Sequence, residues 1–184
     1  MTTILRSNVE YAKQLFDDRL GNPYVYGGTW DPEDASVGAD CSGLVTDVLS
    51  AVFFGERGMV WNREGLSTES YRYRPLGPQR VGPFDLVRVA HYSDFPANAP
   101  VIINLHHEGQ GGPDSHMNCC VDGVYMESNG SVGCCTLGDG AMAMSNPYWN
   151  DWWYVPGPIV EDLATSTPVD LDSALISALW SQFV

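Results

Sequence analysis

The chain has 184 residues, which suits one domain with a sizeable core and room for a short appendage. Apolar residues make up 44%, which rules out a wholly disordered chain, and 9 basic against 23 acidic residues give a net charge of −14. Such a surface repels phosphate backbones and anionic lipid, so neither nucleic acid nor membrane is expected as a partner. No apolar run approaches the roughly 20 residues needed to cross a bilayer. The opening Met1-Thr2-Thr3-Ile4-Leu5-Arg6 lacks the charged-then-apolar stretch of a signal peptide. The expectation is a protein made in the cytoplasm without a signal peptide, retained there until something releases it.

The first predicted helix starts at Ser7-x-x-Glu10, a capping box, and continues through Val9, Ala12, Phe16 and Leu20 at helical spacing. Gly21 and Pro23 end it. An extended piece, Asn22-Pro23-Tyr24-Val25-Tyr26-Gly27-Gly28-Thr29-Trp30, leads into a polar loop up to Ala39. The second helix starts after Asp40, a good N-cap. Cys41, Leu44, Val45, Val48, Leu49 and Val52 form one apolar stripe along it, and Gly55 and Gly58 close it. A short helix is expected near Ser67–Tyr73.

From about Asp85 the period shifts towards two. Strands are predicted at Leu86–Ala90, Val101–Leu105, His116–Val121, Val124–Glu127, Gly133–Leu137 and Trp152–Val155. Asp122-Gly123 marks a tight hairpin. Helices followed by antiparallel strands make the class α+β. Residues 1–158 read as one domain. Residues 159–184 read as a polar linker and a short helix over Asp170–Phe183, either docked on the same domain or leading to further domains.

Five cysteines are present: Cys41, the pair Cys119-Cys120 and the pair Cys134-Cys135. The pairs lack zinc-ligand spacing. On strands, one member of each pair faces a core, and all four read as small buried hydrophobes. Cys41 differs because it opens a helix. There, free N–H groups and the helix dipole favour the thiolate, the nucleophilic form. An imidazole nearby would carry protons, and a third polar group would fix its tautomer. His116 at a strand start and Glu127, eleven positions later across a tight hairpin, supply such a pair. Each of the three also has a plain structural reading: a buried thiol, a hydrogen-bonded imidazole, a solvated carboxylate.

Pro23-Tyr24-Val25-Tyr26-Gly27-Gly28 and Asp40-Cys41-Ser42-Gly43-Leu44-Val45 resemble, in order and spacing, two words of the NlpC family of cysteine peptidases, which cut bacterial cell-wall peptides. Ser115-His116 resembles the family's histidine element, and Phe84-Asp85-Leu86-Val87 the strand before it. The resemblance covers roughly residues 7–155. Glu127 departs from the His, Asn or Gln that most members carry as third residue. Together with the long 91–115 region, Trp61-Asn62-Arg63 and Ser67-Thr68-Glu69-Ser70, it looks like the N-terminal peptidase domains of mycobacteriophage endolysins.

The resemblance implies a papain-like fold, without cofactor or metal, that hydrolyses an amide in the peptidoglycan stem peptide, between D-glutamate and the following diamino acid. Cys41 would be the nucleophile, His116 its acid–base partner and Glu127 the group that holds His116. Tyr24, Asp40 and Ser42 would line the adjoining subsite, although Asp40 reads equally well as a plain N-cap. The expected state is a monomer tethered to other lysin domains, acting on the wall after release from the host cytoplasm. Two other functions fit the same residues. One is an amidase of the CHAP type, cutting between the sugar and L-alanine. The other is a non-catalytic wall-recognition or phage tail module. His106-His107-Glu108 reads as solvated before it reads as a metal site. Trp149, Trp152 and Trp153 read as core-packing before they read as a sugar platform.

Overall fold

The computed structural model describes residues 3–61, 66–71, 84, 86–107 and 114–162. At its centre is helix α2 (Cys41–Gly58). The predicted stripe Cys41, Leu44, Val45, Val48, Leu49 and Val52 is buried throughout, none of it more than 4% exposed. Burial extends around the helix, because Ser42, Thr46, Asp47 and Ser50 are also enclosed. Asp47 is satisfied there by the Thr29 hydroxyl (2.8 Å) and the Trp30 N–H (3.2 Å). Gly55 breaks the helix with φ 65°, a left-handed value that glycine adopts without a Cβ penalty.

Helix α1 (Arg6–Asp17) covers one side of α2 with Val9, Ala12, Leu15 and Phe16. Its start differs from the predicted capping box. The N-cap position is Leu5, with no side-chain bond, and the cap comes from 155 residues away: Asp162 accepts from the Ser7 N–H at 2.8 Å and from its hydroxyl. The reason is a short parallel pairing of β1 (Ile4–Leu5) with β8 (Ile159–Val160), which carries that carboxylate to the positive end of the helix. Residues 159–162, at the start of the segment read as a linker, therefore pack on the domain. The linker beyond residue 162 and the predicted C-terminal helix lie outside the described residues.

The other side of α2 packs on an antiparallel sheet. Its strands are β2 (Val87–Val89), β3 (Val101–His106), β4 (His116–Val121), β5 (Val124–Asn129), β6 (Gly133–Cys135) and β7 (Asp151–Tyr154). They lie in the order β2-β7-β3-β4-β5-β6, with every pairing antiparallel. The architecture is α+β. The β4–β5 hairpin turns through Asp122 (φ 45°) and Gly123 (φ 87°), the two positive φ values that a two-residue turn needs. Arg6 (2.6 Å) and Lys13 (3.0 Å) of α1 clamp Asp122. Between α2 and β2, the predicted helix near residues 67–73 is a single 3-10 turn, Thr68–Tyr71, with residues 72 and 73 outside the described set.

Strand alternation sorts the cysteine pairs as expected. Cys119 and Cys134 join the main core, while Cys120 and Cys135 are buried away from it. All five thiols are free. Burial pushes Cys119 well above the usual thiol range, Cys134 up to about 12, and Cys120 and Cys135 up to about 11. These four are protonated and inert as nucleophiles near neutrality.

Candidate active site

Asp40 begins the site. Its Oδ1 accepts from the Gly43 N–H (2.7 Å) and the Ser42 hydroxyl (2.9 Å), and its Oδ2 accepts from the Gly27 N–H (2.9 Å). The helix cap and the glycine segment are thus joined through one carboxylate. The Asp40 N–H returns a bond to the Gly28 carbonyl at 3.1 Å. At Gly43, a Cβ would stand 2.2 Å from that same carbonyl oxygen, so only glycine lets the first turn of α2 approach so closely. The Tyr24–Gly28 and Asp40–Gly43 words of the sequence are two halves of this contact. A buried bond from the Ser128 hydroxyl to the Ala39 carbonyl (2.7 Å) ties the helix start to β5.

Cys41 is the first residue of α2 and 4% exposed. The Thr68 Oγ1 lies 3.7 Å from its sulfur, and His116 and Tyr24 are near enough for Cys41 to shift both of them. Burial, then the neighbouring Cys41 and Asp40, push the Tyr24 hydroxyl up, so it remains a protonated donor.

His116 opens β4, and its Nε2 lies 2.9 Å from Glu127 Oε1 on β5. With Nε2 so engaged, Nδ1 is the nitrogen left for the sulfur. Burial works against the imidazolium, but the contacts to Cys41 and Glu127 outweigh it and raise His116 to about 9. The ring also stacks on Trp149, with centroids 5.8 Å apart and planes within 16°.

Glu127 is fully buried. It stays ionised because four donors converge on it: His116 Nε2, Asn118 Nδ2 (2.9 Å), the Met142 N–H (2.7 Å) and Asn129 Nδ2 (3.4 Å). Burial alone would raise its pKa, yet the bonds from His116, Met142 and Asn118 bring it below the usual value. Asn118 is fixed in turn by the Met142 carbonyl (2.9 Å) and by Asn104 Nδ2 (2.8 Å).

A cavity of about 710 Å³ opens against this cluster, lined among others by Tyr24, Tyr26, His116, Glu127, Asn129 and Tyr148. Of the six residues singled out from the sequence, Tyr24, His116 and Glu127 line the cavity, and Cys41 neighbours Tyr24 and His116. Asp40, Cys41 and Ser42 are not among its lining residues, and Asp40 and Ser42 bond to each other at the start of α2. Alternation along β4 carries a signal for Asn118, which sits two residues from His116 and so on the same face. Thr68 and Trp149 reach the site only through tertiary packing.

The remaining candidates have structural partners. His106 stacks on Tyr148 at 3.9 Å, and His107 lies between Glu69 and Asp151 at 3.5 and 3.4 Å. Glu108 is outside the described residues. Trp149 and Trp153 are buried, and their indole N–H groups donate to Ala143 O and Asp151 Oδ2. They do not form an open stacking platform.

The site is therefore a thiol, an imidazole and a buried carboxylate in series, on a helix N-terminus and two adjacent strands of an α+β domain. The sequence pattern of the endolysin A family matches residues 1–162, and the chain belongs to that family. It is similar to endolysin A of Mycobacterium phage L5, with 32% identity over 177 residues that cover 87% of this chain and 58% of that protein. The chain thus spans little more than half the length of that relative.

Proposed function

We propose that the chain carries the cysteine endopeptidase activity of a phage lysin, hydrolysing an amide bond in the peptidoglycan stem peptide. The observation that carries this reading is His116 bonded to the ionised, fully buried Glu127, both lining an open cavity, with Cys41 neighbouring His116 at a helix start.

Thiolate and imidazolium form the resting pair, helped by the helix N-terminus and the Glu127 carboxylate. The sulfur attacks the carbonyl carbon, and the C=O electrons move to oxygen. The Cys41 N–H at the helix start can receive that oxyanion. His116 gives its proton to the leaving amine as the C–N bond breaks, leaving a thioester on Cys41. Neutral His116 then takes a proton from water, whose oxygen attacks the thioester and regenerates the thiolate. Glu127 keeps one tautomer of His116 through both steps and balances its charge.

The resemblance to NlpC peptidases supports the D-glutamate to diamino-acid bond as the one cut. Mass spectrometry of the fragments released from purified peptidoglycan tests this. A new amino terminus on the diamino acid is expected; release of intact stem peptides from the glycan would instead establish an amidase.

A further inference from the structure

The 3-10 turn Thr68–Tyr71 touches both halves of the site. Thr68 is 6% exposed, and its Oγ1 lies 3.7 Å from the Cys41 sulfur. Tyr71, 1% exposed, bonds Thr46 on the same helix, oxygen to oxygen at 2.7 Å. Glu69 accepts from the hydroxyl of Ser115, the neighbour of His116, at 3.0 Å, and its carboxylate faces His107 at 3.5 Å. The turn is closed internally by the Ser70 N–H to the Ser67 carbonyl (2.8 Å). One short segment is thus pinned to the nucleophile helix at two points and to the approach of the histidine strand at a third.

We propose that Thr68 is a fourth catalytic residue of the Cys41 centre, donating a hydrogen bond to the thiolate and fixing the direction of the sulfur. This rests on the reading of Cys41 as the nucleophile. Chemistry sets the direction of the bond. A neutral thiol and a hydroxyl can each donate, but a thiolate has no proton, so the hydroxyl must be the donor in the reactive form. A hydrogen bond to a charged acceptor in an enclosed site is stronger than one between neutral groups. The Thr68 hydroxyl then joins His116 and the Tyr24 hydroxyl as a donor to the sulfur, and rotation about the Cα–Cβ bond is restrained. Glu69 and Tyr71 act through the turn and are positioning residues.

The test compares Thr68→Val, which keeps the shape and removes the hydroxyl, with Thr68→Ser, which keeps the hydroxyl. Iodoacetamide labelling of Cys41, mapped by peptide mass spectrometry, is followed from pH 4 to 10 beside kcat/KM on stem peptide. Thr68→Val is expected to move the alkylation profile to higher pH and to lower kcat/KM about tenfold. Thr68→Ser is expected to restore both. An unmoved alkylation profile in Thr68→Val, or equal damage from both substitutions, would overturn the proposal. Labelling needs no hydrolysis, so the two readings fail separately. If the wild type cut no stem peptide but the profile moved, the peptidase reading would fall and the hydrogen bond would stand. If the wild type cut and the profile stayed, only the role of Thr68 would fall.

Discussion

Replacing Glu127 by glutamine removes a charge with almost no change in volume, and the surroundings determine the cost. Four donors point at the carboxylate, two at each oxygen: His116 Nε2 and Asn129 Nδ2 at Oε1, Asn118 Nδ2 and the Met142 N–H at Oε2. A glutamine has one oxygen and one NH2, so one of these sides must meet a donor. Each buried donor left unsatisfied costs about 1–3 kcal/mol, so the variant is expected to lose about 2–5 kcal/mol of stability. For a domain of this size that lowers Tm by roughly 5–15 °C without abolishing the fold.

The less costly orientation keeps the oxygen on the Asn118 and Met142 side. The amide then donates to His116 Nε2, which must lose its proton to accept. His116 is left neutral and in the wrong tautomer, and turnover is expected to fall by about 10²–10⁴-fold. The wild-type imidazolium persists to about pH 9 through Cys41 and Glu127, against burial. Without the carboxylate, the alkaline limb of kcat/KM retreats towards neutrality. The assay is stem-peptide hydrolysis from pH 5 to 10 beside thermal unfolding by circular dichroism. A kcat/KM within about twofold of wild type, with an unmoved alkaline limb, would refute the assignment of Glu127.

Other substitutions probe the scaffold. Asp40→Ala removes both the α2 cap and the tie to Gly27, and is expected to cost about 1–2 kcal/mol, read as a lowered Tm and a loss of activity. Gly43→Ala forces a Cβ to within 2.2 Å of the Gly28 carbonyl, so the glycine segment must move. A loss of about 1–3 kcal/mol is expected, and wild-type stability with wild-type activity would contradict the contact. The pH dependence of stability has a defined sign. His116 is raised from 6.5 to about 9 in the folded state, so its contribution is full below about pH 6.5 and disappears as pH rises through about 9. Glu127 is lowered from 4.5, so its contribution is present above about pH 4.5 and disappears as pH falls through its folded value. The gap in Tm between the wild type and His116→Ala should narrow as pH rises through about 9 and then hold constant, whereas a gap independent of pH would contradict the raised His116 pKa.

Local signals carry the helices, the strands and the Cys41–His116–Glu127 set. The α2 stripe is a repeating pattern with a cap at one end and glycines at the other, and β4 is legible at its observed limits, His116–Val121. The hairpin is legible because Asp122 and Gly123 tolerate positive φ. The features that escape a sequence reading are tertiary. The pairing of β1 with β8 involves two residues on each side, too few for a periodic signal, and the Asp162 cap depends on it. Ser7-x-x-Glu10 satisfies the capping-box pattern, yet the N-cap falls two residues earlier, at Leu5, because β1 sets the helix entry. Thr68 lies in a four-residue turn without periodicity, and its contact with Cys41 spans 27 positions. Asp40 is legible as an N-cap, but its bond to the Gly27 N–H, 13 positions away, is not.

Whether Cys41 is the nucleophile of a peptidoglycan-cleaving site is tested most directly on purified peptidoglycan. The wild type and Cys41→Ala are incubated with it in parallel, and newly exposed amino groups are scored. New amino termini with the wild type and none with the folded variant are predicted. Equal release by both proteins would contradict the account, and equal silence on walls of several chemotypes would leave the fold a binding or structural module.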